Sequence, residues 1–143
     1  MILTAQQIRA FFPGAPVYVA DLDYAAPTRD WIIQKFYPWF WQMRTALGLR
    51  AYNRRNDCDN FARAAAQAAE DCHALTAETA APSAKAEGLA VGEFFYVKGD
   101  GSGNHAICVA IVEGNALLFF EPQNGNELKL TSTEIQSCFF IRF

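Results

Sequence analysis

Hydrophobic and polar positions change texture once along the chain, from helical periodicity in the first half to extended runs after Gly92. Residues 3–12 read as a short helix: Thr4 and Gln7 have capping-box spacing, and Pro13-Gly14 ends the segment. Residues 16–21 read as a short extended piece. Thr28, after Pro27, caps a second helix in which Trp31, Ile32, Phe36, Phe40, Met43 and Leu47 follow helical spacing. Pro38 interrupts that pattern and predicts a kink or two helices in succession, and Gly48 fits the end. A third helix begins near Cys58 and runs to about His73. Cys58, Phe61, Ala62, Ala65, Ala69 and Cys72 form one stripe at steps of three and four, with Arg63, Gln67 and Glu70 opposite. Small residues on that stripe let another element approach closely, so this is a central helix lying against a sheet. Residues 76–89, rich in Ala with Pro82 and Gly88, read as a loop with room for a short helical piece.

Beyond Gly92, residues 94–98, 105–113, 116–121, 127–130 and 138–143 read as strands. Gly114-Asn115 is a tight hairpin signal, Asn124-Gly125 a turn, and residues 131–136 a short helical turn. Helices first and an antiparallel meander second predict an α+β fold, in one domain spanning residues 1–143.

Composition narrows the classes. At 143 residues, 52% apolar and 14% aromatic, the chain can bury a real core and is not disordered in type. Net charge is −3 with no basic stripe, which argues against a nucleic-acid partner. No apolar segment is long enough to span a bilayer, and Met1-Ile2-Leu3-Thr4 does not open a signal peptide. The expected location is the cytoplasm, or outside the cell by a route without a classical signal. Cys58, Cys72, Cys108 and Cys138 show no CxxC spacing, so three are read as buried thiols and one as reactive. Nothing in the pattern fixes an oligomeric state.

The reactive one is Cys58, in Asn56-Asp57-Cys58-Asp59-Asn60-Phe61-Ala62 at a helix start. Backbone amides and the helix dipole favour a thiolate there, while Asp57 and Asp59 either raise the thiol pKa or cap the helix. His105 opens an apolar strand after a glycine-rich loop, on the strand face of Ile107, Val109 and Ile111. Pairing around Gly114-Asn115 brings residue 121 near residue 108, so Glu121, Gln123 or Asn124 can hold the imidazole, with Glu121 favoured. Asn53 or Asn56 could supply a side-chain oxyanion donor beside the Cys58 N–H. His73, at a helix end, is read as structural.

Asp57-Cys58-Asp59-Asn60-Phe61-Ala62, then His105-Ala106, then Glu121-Pro122-Gln123, resembles the papain-like cysteine peptidases. The resemblance is nearest to the C-terminal domain of mushroom agglutinins of the Marasmius oreades type and related small bacterial and phage proteins. It implies a papain-like fold and a thiol hydrolase acting through an acyl-enzyme, with Cys58 as nucleophile, His105 as base and Glu121 as orienting acid. Peptides or cell-wall peptides would be the substrate. Calcium enters only through the resemblance, and the residues themselves call for no cofactor or metal. The rival expectation is a non-catalytic binding or phage accessory module on the same core, because fold does not fix function.

Overall fold

The computed structural model describes residues 1–76 and 86–143. Most of the expected 76–89 loop lies outside the described residues. Two helices and a hairpin are built by local signals that the chain spells out. Helix α1 (Ala5–Ala10) is closed by a reciprocal capping box between Thr4 and Gln7. Helix α4 (Ser132–Gln136) has the same device in Thr131 and Glu134. Strands β6 (Asn104–Val112) and β7 (Ala116–Phe120) meet at a turn where Gly114 has φ +89° and Asn115 φ +59°. Two successive left-handed residues give a turn whose twist matches the strands it joins, and Gly and Asn are the residues that tolerate it.

The second helical segment is continuous across Pro38. It opens as one π-helical stretch, Trp31–Phe36, and passes directly into α2 (Tyr37–Ala46), with Pro38 in the first turn of α2. A proline there lacks only an N–H that the widened π turn leaves without an α-helical partner. The Thr28 hydroxyl accepts the Trp31 N–H at 3.0 Å and so starts the segment.

Two sheets form, both mixed. The larger runs β2-β9-β5-β6-β7-β8, with β2 (Val17–Tyr18), β5 (Val91–Val97), β8 (Glu127–Leu128) and β9 (Phe140–Arg142). The expected meander β5-β6-β7-β8 is antiparallel, but β2 joins β9 in parallel at the edge. The smaller sheet, β1-β3-β4, uses β1 (Ile2–Thr4), β3 (Asp23–Ala25) and β4 (Gly88–Leu89). These strands have two or three residues each, too few for alternation to mark them. The architecture is therefore α+β, with mixed sheets in place of the purely antiparallel one expected.

Helix α3 (Cys58–Thr76) lies on the face of β5 and β6. Ala62, Ala65 and Ala69 face Ala106, Cys108 and Ala110 in one buried cluster, joined by Phe36, Phe40 and Phe120. Cys108 Sγ stands 3.5 Å from the Ala62 carbonyl, which shows how near the helix backbone comes to the sheet. The opposite sheet face packs Ile107, Val109 and Ile111 against Leu3, Ile8, Phe94 and Ile141. Glu70 ties α3 to the smaller sheet, its Oε1 accepting the Leu89 N–H at 2.7 Å.

Two outcomes follow from this packing. Ala65, fully buried between helix and sheet, has no space for added methylenes. Ala65→Leu should cost about 1–3 kcal/mol in urea unfolding, as overpacked cores do. Burial also holds the Glu70 carboxyl above its ordinary range, against the opposing Leu89 hydrogen bond. The folded chain then keeps that proton to higher pH than the unfolded chain. Its contribution to stability falls as pH rises from the ordinary carboxylate pKa through the raised folded value. Glu70→Gln should flatten that fall in melts taken at stepped pH.

Candidate functional site

The end of the large sheet at which β6 begins carries the polar residues singled out from sequence. His105, the second residue of β6, pairs with Tyr96 of β5, and their rings meet edge-on at 6.1 Å. The β6-β7 register matches Cys108 with Phe120, so the chain leaving β7 passes beside the start of β6. Glu121 is the first residue beyond β7. Its Oε2 lies 2.7 Å from His105 Nε2, and its Oε1 accepts the Gln123 N–H at 3.2 Å. Both side chains are largely buried, at 15% and 12% exposure, where a hydrogen bond is poorly replaced by water.

The turn after β7 is folded around Glu121. Its backbone N–H donates to Asn126 O, and its carbonyl accepts from Asn124 and Gly125. Gly125 has φ +77°, and a Cβ there would stand 2.2 Å from the Tyr37 ring. Tyr37 thus seals the back of the turn. Its hydroxyl is buried without a partner among the described residues, and burial, with the Glu121 charge nearby, pushes its pKa up to about 12.

Cys58 is the first residue of α3, half-buried against the cluster beneath that helix. Among the described residues no hydrogen bond joins it to His105 or Glu121. The groups around Cys58 are Tyr52, Asp57 and Asp59. Charge at Cys58 is the main cause raising the exposed Tyr52 phenol. Asp59 is raised chiefly by the neighbouring Asp57 carboxyl, with burial adding to it. The structure therefore brings His105 and Glu121 together and leaves Cys58 outside their hydrogen bond.

The asparagines expected as oxyanion donors are engaged elsewhere. Asn56 Nδ2 donates to the Leu49 and Ala51 carbonyls at 3.1 and 2.8 Å, and Asn56 Oδ1 accepts from Arg44. Asn53 Nδ2 donates to the Ala51 carbonyl at 3.3 Å, and its Oδ1 accepts the Arg55 N–H at 2.9 Å. Both amides shape the loop before α3. His73 Nε2 meets the Ala86 carbonyl at 3.1 Å. Among the described residues no group of three or more His, Cys, Asp or Glu side chains could hold a metal ion, and no helix is long and apolar enough to cross a membrane.

Sequence reasoning missed Arg44, which is buried to 6% exposure. A signal existed: it follows Phe36 and Phe40 at steps of four, on the stripe facing the core. It missed Glu93 too, a carboxylate inside the apolar run of β5, held by Arg142 and 3.9 Å from Arg63.

No family model and no curated protein matches the chain. Solved structures do. A structure described as "PSL1a-E64 complex" matches with a TM-score of 0.71 and 25% identity, over 99% of this chain and 50% of that one. A structure of Polyporus squamosus lectin bound to the human-type influenza-binding epitope Neu5Aca2-6Galb1-4GlcNAc matches with a TM-score of 0.67 and 26% identity, over 99% and 49%. The chain spans about half the length of these neighbours.

These matches correct the identification as a papain-like cysteine peptidase, and with it the thiol hydrolase and the peptide or cell-wall peptide substrate. One of these two structures, similar along nearly the whole chain, is a lectin with its glycan epitope. The physical reason for the misreading is that the resemblance rested on three short motifs. A cysteine on a helix followed by a histidine and an acid on strands describes an order of elements, which many functions can share.

The His105–Glu121 contact is open to direct measurement. Each residue replaced by Ala leaves the other's polar atoms largely buried without this partner. A double-mutant cycle of His105→Ala and Glu121→Ala, read by urea unfolding, should give a coupling of about 1–3 kcal/mol. A coupling near zero would show that the pair contributes nothing to holding the turn on the sheet.

Proposed function

We propose that this chain is a non-catalytic binding module whose ligand is a glycan. The observation that supports it is the match of nearly the whole chain to half of a lectin structure bound to a sialylated epitope. Because the chain corresponds to half of those proteins, the reading takes over saccharide binding as a class and leaves that particular epitope with the neighbour. The surface has chemistry suited to sugars. Tyr52 and Trp39 are exposed, at 60% and 40%, and offer aromatic faces to the apolar side of a pyranose ring. His105 and Glu121, at the sheet end, supply directional polar groups as ligand-contacting residues, with no turnover assigned to Cys58.

The test is a glycan array probed with the labelled chain, followed by calorimetry on the best ligand. Saturable binding, weakened in Tyr52→Ala or in His105→Ala while thermal melts stay cooperative, is the expected result. In parallel, the chain is incubated with a peptide mixture and with E64, the compound in the PSL1a complex, and followed by mass spectrometry. No cleavage is expected. Peptide cleavage and a stoichiometric mass gain from E64, both lost in Cys58→Ala, would overturn the non-catalytic reading.

A further inference from the structure

A hollow of about 490 Å³ opens between α2, the loop before α3 and the outer side of α3. Arg44, Arg55, Asn60 and Gln67 line it, and Arg63 and Arg142 close one side. The arginines fall into two groups. Arg63 is 3.6 Å from Asp59 and 3.9 Å from Glu93, and Arg142 pairs with Glu93. Asp59 and Glu93 offset those two cations. Arg44 and Arg55 have no carboxylate within ion-pair range among the described residues. The hollow therefore keeps a positive balance although the chain as a whole is acidic.

Arg44 is the unusual member. Its side chain is buried, one Nη donates to Asn56 Oδ1, and the guanidinium carbon sits 4.7 Å from the centre of the Phe61 ring. Its Nε is buried with no hydrogen-bond partner. A guanidinium out of water and without a counter-ion is costly, and its fixed fork of donors matches the paired oxygens of a carboxylate or phosphate. The Asn56 amide, satisfied on both sides, fixes the guanidinium in place before any ligand arrives. Such a positioned, desolvated donor set with a second arginine at the rim is what anion recognition needs.

We propose that this hollow is a binding site for an oxyanion, the carboxylate or phosphate of a small ligand, received by Arg44 within and Arg55 at the rim. Asn60 Nδ2 and Gln67 Oε1 are left for the neutral part of that ligand, since Asn60 Oδ1 accepts the Asp57 N–H and Gln67 Nε2 donates to Asp71. The site is separate from His105 and Glu121, and the inference holds whether or not the chain takes a neutral glycan.

The test is an NMR titration of the full chain with sodium glucuronate, with inorganic phosphate and with glucose, following the Arg44 Nε–H and the Asn60 and Gln67 amides. A saturable shift with glucuronate alone assigns a carboxylate, and one with phosphate alone or with both assigns the wider oxyanion class. Glucose should leave the Arg44 signal unmoved. Arg55→Gln should weaken the anion about 3- to 10-fold, and Arg44→Lys, which keeps charge but loses the fork, about 10-fold or more. If Arg44→Lys fails to fold, Arg55→Gln carries the comparison. No saturation with either anion, equal shifts with glucose, or unchanged affinity in Arg55→Gln would overturn the proposal.

Discussion

The closeness of α3 to the sheet is the constraint on which the other features depend. Alanine meets alanine and cysteine across that interface, and the helix carbonyl of Ala62 comes within 3.5 Å of Cys108 Sγ. Bulky residues at these positions would hold the helix farther out. With small ones, the packing energy comes from many short dispersion contacts between backbones and Cβ atoms, and tolerance for added volume is low. The large side chains that fill the layer come from elsewhere instead, through Phe36, Phe40 and Phe120. The position of α3 then dictates where its first residues and its outer face stand. Cys58 is drawn into the cluster beneath the helix, and Arg63 is brought over Glu93 on β5.

The same closeness explains the distribution of charge. Glu93 points to the helix side of β5, since it pairs with Cys108 and neighbours Arg142 on β9. A carboxylate there is shut away from water and needs cations. Arg142 supplies one directly and Arg63 reaches over from the helix. Two of the arginines around the hollow are thereby neutralised by the fold's own needs. Arg44 is different, because its partners are an amide and a ring, neither of which cancels its charge. Structural charge and unspent charge are thus separated within one small region.

Much of the fold was legible in the chain because the relevant signals are local. The Thr4–Gln7 and Thr131–Glu134 boxes, the Gly114-Asn115 turn and the alanine stripe each act within a few residues, and each element is found where its signal stands. Strands β1, β3 and β4, and the parallel pairing of β2 with β9, were not legible. They exist through partners far away in sequence, such as Ala25 beside Leu89. The π-helical opening of the second helix also escaped, because the apolar spacing from Trp31 to Phe40 serves a wide turn as readily as a tight one.

The candidate site shows the same division between local and distant information. That Glu121 would reach His105 could be read from the hairpin register, since the turn fixes both strands. Whether Cys58 joins them depends on where the start of α3 stands relative to that sheet end, which the register of a hairpin does not fix. A motif that fixes residue types and their order carries no such distance. The three residues could therefore suggest one chemistry in sequence while their hydrogen bonds in the fold join only two of them. The residue that anchors His105 also organises the turn at its back: its carboxylate accepts the Gln123 N–H, and its backbone carbonyl accepts those of Asn124 and Gly125. Its first consequence is a rigid sheet end, and any ligand reaching His105 meets a surface already set in place.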